Sequence, residues 1–172
     1  NERIQLDGSQ IPDETVIELT AYVKQFADTM EDQPTEFEFV TAMAMEYYAR
    51  EKADIVVLEV GMGGKLDATN VIDVPEVAVI TNIGDAHIGN LGSREGIFQA
   101  KCEIFHGLRE GGIAVLNGDD DLLTTLRGKT PFEIRWIGES PACDYRAEDV
   151  DGSRTGMTIA TAFSLLRCLY FG

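Results

Sequence analysis

A chain of 172 residues is long enough for one domain with a sizeable core, and 44% apolar content is ordinary for a soluble globular protein. With 14 Lys and Arg against 30 Asp and Glu, the net charge of −16 argues against nonspecific binding to nucleic acid or anionic membrane, though not against a nucleotide held locally by a glycine loop, a helix N-terminus and Mg²⁺. No apolar run approaches the ~20 residues of a membrane helix, NERIQLDG does not read as a signal peptide, and Cys102, Cys143 and Cys168 form no even framework, which favours free thiols in a reducing cytoplasm.

The first element is a short strand-like piece, RIQL, followed by Asp7-Gly8 as a turn signal and by Pro12. From Asp13, Val16, Leu19, Val23 and Phe26 recur at helical spacing, until Asp32-Gln33-Pro34 breaks the pattern. Thr35 opens a second helix, with Glu38 completing a candidate capping box, and that helix runs to about Lys52. IVVLEV (55–60) is too short and too β-branched for a helix and reads as a buried strand. VAVITNIG (77–84) is the next strand, and a helix follows over 94–108 on the spacing of Ile97, Ala100, Ile104 and Leu108. GGIAVLNGD (111–119) is a third strand, LLTTLRG a short helix ending at Gly128, FEIRWIGE a fourth strand and DYRAEDV a candidate edge strand. This alternation predicts an α/β domain with a largely parallel sheet. The apolar tail ATAFSLLRCLYFG, residues 160–172, fits a last strand, a last helix, or a truncated or shifted reading frame.

In open α/β sheets ligands bind beyond the carboxyl ends of the strands. Glu59 falls at the first such end, His87 follows the second in TNIGDAHIGNLG, and Asn117, Asp119, Asp120 and Asp121 follow the third. Lys101 lies on the helix after the second strand. A carboxylate and an imidazole at adjacent strand ends suit a hard cation that also touches phosphate. Each residue has a plainer role open to it. Glu59 can pair with Lys65, His87 can cap a loop, Lys101 can be a solvated helix lysine, and NGDDD can be a turn. GMGG alone is weak evidence, and His106 reads as an ordinary histidine.

The segments ERIQLDG, PTEFEFVTAMAMEYYARE and ADIVVLEVGMGGKLDATNVI resemble folylpolyglutamate/dihydrofolate synthase over residues 1 to about 75. Lys65 stands where that family more often has arginine. Residues 76 to about 150 look more like the ligase that adds D-alanyl-D-alanine to a UDP-muramoyl-tripeptide. PEVAVITNIGDAHIGNLGSREGIFQAKCEIFHGL, GGIAVLNGDDDLL and CDYRAEDV carry that likeness, and Ala86 separates Asp85 from His87 as in that branch. Both belong to the Mur ligase superfamily of three-domain, ATP-dependent amide-forming ligases.

The resemblance implies a three-layer, Rossmann-like central ATPase domain, incomplete over 1–172. In the superfamily, the glutamate and histidine matching Glu59 and His87 help bind Mg²⁺, and the lysine matching Lys101 is carbamylated in many members. It places Asp67 and Asn70 beside nucleotide and acceptor, Asn82 at the nucleotide, and Asn117 and Asp119 near the same region. Catalysis is implied to rest on Lys101 and His87, with ATP and Mg²⁺ as cofactors, through an acyl phosphate. The substrates implied are a folate or dihydropteroate with glutamate. The alternatives are UDP-muramoyl-tripeptide with D-alanyl-D-alanine, or a noncatalytic nucleotide-binding module. Partners are then small molecules in the cytoplasm, with neither nucleic acid nor membrane. A P-loop of the G-x-x-G-K-[ST] type is missing from the 172 residues, as is the C-terminal domain, so the chain reads as an internal piece of a ligase, inactive alone.

Overall fold

A computed structural model describes residues 2–61, 67–72, 74–84, 92–153, 156–161 and 165–168, those beyond 148 as backbone only. The chain divides into two units, Asn1–Val71 and Ile72–Gly172.

In the first unit, strands β1 (Gln5–Leu6) and β2 (Ser9–Gln10) pair antiparallel, with Leu6 opposite Ser9. The loop between them is Asp7-Gly8, both at positive φ (50° and 77°), a backbone that twists with the strands and suits glycine. Helix α1 (Asp13–Ala27) starts after Pro12, with Asp13 and Glu14 in its first turn and Lys24 in its last, matching the helix dipole. Helix α2 (Glu36–Glu51) begins with the expected capping box: the Glu38 N–H donates to Thr35 Oγ1 (3.3 Å), and the Thr35 N–H donates to Glu38 Oε2 (2.7 Å). The Thr35 N–H also holds the Glu38 carboxyl below its ordinary range. Ile4, Ile11, Leu19, Met43 and Tyr47 form this unit's core, with Val16 and Val23 beside it. Phe26 departs from the expected apolar face. It is 57% exposed and lies edge-on to Tyr22.

The expected strand at 55–60 is not one. These residues join no sheet, and Ile55 and Val57 are more than four-fifths exposed. β-branched residues favour an extended backbone, but a strand exists only as half of a hydrogen-bonded ladder, and none of the described residues supplies the other half.

The second unit is a mixed six-stranded sheet in sequential order. Strands β3 (Val77–Ile80), β4 (Ile113–Asn117), β5 (Glu133–Gly138) and the start of β6 (Tyr145–Ser153) are parallel. Strands β7 (Gly156–Thr161) and β8 (Leu165–Cys168) continue it antiparallel. β6 is therefore an interior strand rather than the expected edge, because β7 pairs with its second side. The described part of the tail is strand, the end of β7 and β8. Helix α3 (Arg94–Cys102) leads into a 3-10 helix, Glu103–Gly107, and a second 3-10 helix spans Leu123–Leu126. Ala78, Ile80, Ala114, Leu116 and Trp136 project to one side of the sheet, where Ile97 and Leu123 pack on them. Val77 and Val79, on the other side, are half exposed. Arg127 covers the Trp136 ring at 4.0 Å.

Candidate functional site

Glu59 ends the unpaired stretch and is exposed. Two residues on, the glycine loop begins, and Asp67 closes it. Asp67 Oδ2 accepts the Gly61 N–H (3.0 Å), while Oδ1 accepts the Thr69 N–H (2.9 Å) and the Thr69 hydroxyl (2.5 Å). The Asn70 N–H donates to the Asp67 carbonyl (2.9 Å), completing a turn around the buried Thr69. Beside this turn is a cavity of about 290 Å³ lined by Glu38, Thr41 and Met45 of α2 with Asp67 and Ala68. Its polar groups already bond within the chain, Glu38 with Thr35, Thr41 with the Phe37 carbonyl and Asp67 with Gly61 and Thr69.

In the second unit Lys101, on α3, donates from Nζ to the Asn82 carbonyl (2.9 Å), so two of the expected site residues meet. Asn117 and Asp119 also meet. Asn117 Oδ1 accepts the Asp119 N–H (2.8 Å), and the Asp119 carboxylate accepts the N–H groups of Glu139 (2.6 Å) and Ser140 (2.9 Å) beyond β5. A side chain on Gly138 would collide with that carboxylate, so the close approach depends on glycine there.

Sequence reasoning missed Arg94 and gave Asp120 and Asp121 no role of their own. The Asp120 carboxylate takes N–H bonds from Leu122 and Leu123 (3.0 and 2.9 Å) and from Ile83 (2.7 Å). Arg94 grips Asp121 with two nitrogens (2.6 and 3.2 Å) and the Ile83 carbonyl with two (3.1 and 3.2 Å). The Arg94 guanidinium holds the Asp121 carboxyl below its usual range. A signal for Asp120 was present, since an aspartate in a turn accepts the N–H groups two and three residues on. Nothing local pointed to Arg94.

His87 and Lys65 lie outside the described residues. Among the described residues no three His, Cys, Asp or Glu side chains form a group able to hold a metal. His106 is exposed on its 3-10 helix. Cys102 is half-buried, and burial pushes its thiol up to about 11. No helix among the described residues is long and apolar enough to cross a membrane.

The chain matches the Mur ligase middle domain over residues 13–167 and belongs to that family. The UDP-N-acetylmuramoyl-tripeptide–D-alanyl-D-alanine ligase of Bacillus subtilis is 40% identical over 119 residues, 68% of this chain and 24% of that protein. The folylpolyglutamate synthase of Arabidopsis thaliana is 35% identical over 181 residues, covering 97% of this chain and 28% of that protein. In three dimensions a solved FPGS–AMPPCP complex superposes with a TM-score of 0.73 at 28% identity, over 96% of this chain and 42% of that one. The chain thus spans about a quarter to two-fifths of the length of these relatives. The expected α/β fold and family are both borne out.

Proposed function

We propose that the protein carrying this chain is an ATP-dependent ligase of the cytoplasm that joins glutamate to a folate or dihydropteroate. The observation that carries this reading is the bond from Gly61, two residues after Glu59, to Asp67, in a chain that aligns along 97% of its length with a folylpolyglutamate synthase. A solved structural relative also holds an ATP analogue.

The chemistry assigned is activation of a carboxylate. A substrate carboxylate oxygen attacks the γ-phosphorus of ATP, ADP leaves, and the amine of glutamate attacks the acyl phosphate. Phosphate then departs and the nitrogen gives up a proton. Such transfers depend on positioning and charge neutralisation. Bound Mg²⁺ supplies charge neutralisation at the phosphates. Glu59 and His87 are assigned to hold it, and the exposed Glu59 carboxylate is a hard oxygen donor suited to that ion. Asn82, Asn117 and Asp119 are assigned to the nucleotide, and Asp67 and Asn70 to the border of nucleotide and acceptor, with the adjoining cavity taking part of the acceptor. Lys101 is assigned a carbamate, formed when the ammonium loses a proton, the neutral amine adds to CO₂ and a second proton leaves the nitrogen. One N–H remains on that nitrogen, enough to keep its bond to the Asn82 carbonyl. The 40% identity to the muramoyl-tripeptide ligase of B. subtilis favours a second reading in which UDP-muramoyl-tripeptide and D-alanyl-D-alanine are joined.

ADP release by the protein as its gene encodes it, with Mg²⁺ and bicarbonate, separates the two. Turnover is expected with dihydropteroate or a reduced folate plus glutamate. Turnover with only the muramoyl substrates reassigns the protein to the second reading, and none with either set overturns both.

A further inference from the structure

The carbonyl of Asn82 and the N–H of Ile83 belong to one peptide plane, and each pole of that plane is held by a charged side chain from a different element. Lys101 of α3 donates to the carbonyl (2.9 Å), and Asp120, beyond β4, accepts from the N–H (2.7 Å). The next carbonyl, that of Ile83, is gripped by Arg94 at the start of α3, and the Ile83 side chain is 2% exposed. A peptide plane held at both poles cannot rotate about its Cα–Cα axis. Both holders beyond Lys101 are themselves oriented: Asp120 by the N–H groups of Leu122 and Leu123, Arg94 by a two-pronged bond to Asp121. The bonds from Asp120 and Arg94 involve ionised groups, the stronger kind, and they converge on Ile83.

We infer that Asp120 and Arg94 are positioning residues, which lock the 82–83 peptide so that Asn82 meets the nucleotide, with Lys101 beside it, in one fixed geometry. The inference rests on the ligase reading, in which Asn82 faces the nucleotide and Lys101 carries a carbamate beside it. It gives Asp120 and Asp121 of the NGDDD run a role that needs no contact with ligand. Positioning of this kind matters because small misplacements of reacting groups cost large factors in rate and affinity.

The test is Asp120→Asn in the protein as its gene encodes it, with Mg²⁺ present. The amide oxygen can keep the bonds to Leu122 and Leu123, whereas the NH₂ faces the Ile83 N–H and cannot accept it. Two quantities are read: hydrogen exchange of the Ile83 amide, and the calorimetric Kd for AMPPCP and for the acceptor substrate. Expected are about tenfold faster exchange at Ile83 and about tenfold weaker AMPPCP binding, with acceptor affinity within about twofold. Faster exchange with unchanged AMPPCP affinity overturns the inference and leaves the clamp a structural tie only, and unchanged exchange refutes the clamp itself. If Asp120→Asn does not fold, Arg94→Lys and Arg94→Ala give the same readings. Lysine is expected to restore most of the AMPPCP affinity that alanine loses, and equal loss in both overturns the inference. Failure of the unsubstituted protein to bind AMPPCP sinks the ligase reading and this inference together, and is distinguished by needing no substitution.

Discussion

Asp67 and Asp120 do the same chemistry over very different spans of chain. Among the described residues each carboxylate takes three donors. Among the described residues, Asp67 takes its donors from Gly61 and Thr69, no more than six residues away. Asp120 has two partners within three residues, but its third is 37 residues away. Parallel pairing explains the long reach. Ile80 lies beside Leu116, and Leu116 beside Trp136, so the three strands end at the same edge of the sheet. The turn after β4 is the middle one, and it ties to both neighbours: Asp120 to the segment after β3, Asp119 to the segment after β5. A loop closed locally needs only its own residues, whereas one closed across strands needs the register.

The strand register is disturbed most severely at Leu116, which is fully buried in the core that sets it. Leu116→Ala should cost about 3 kcal/mol in urea unfolding, as large-to-small core changes do. Hydrogen exchange at Ile83 should rise with it while that at Gly61 does not. A loss below about 1 kcal/mol would show that the strand ends are not held by this packing.

Thr35→Ala tests a structure closed within four residues, the capping box of α2. Losing its oxygen removes one half of the capping box and should cost about 1 kcal/mol. Thr35→Ser should restore it. A thermal melt that does not distinguish alanine from serine refutes the cap as a source of stability.

The smallest effect concerns pH. Burial raises the Cys102 thiol from 9.0 to about 11, so its share of stability is complete below pH 9 and is lost as pH rises through about 11. At pH 8 the folded protein should hold about a hundredfold less Cys102 thiolate than free cysteine would. Iodoacetamide labelling followed by peptide mass spectrometry reads this directly. Labelling of Cys102 at the free-cysteine rate would mean that its packing beside the second core is wrong.

Much of the architecture was legible from neighbours in the chain. Asp7-Gly8 announced a turn, Thr35 with Glu38 a capped helix, and the short apolar runs VAVI and IAVLN, with EIRWIG, three strands of one sheet. The contact between Lys101 and Asn82 was half legible, since a helix lysine and a strand end were both expected at one site. IVVLEV was misread because β-propensity reports a willingness to be extended and cannot supply a partner. DYRAEDV was misplaced at an edge because the pairing of its second side depends on residues that follow it.

The amino-acid order determined the caps and turns decided within about four residues, most of each helix face, and the family-bearing stretch LEVGMGGKLDATN. Register decided the rest. Ile83 acquired Asp120 and Arg94, and Asp119 acquired Glu139 and Ser140, only once parallel strands had brought their ends to a common edge. Hydrogen bonds between residues 11 to 37 apart depend on where burial of the core places the backbone, which no local pattern encodes.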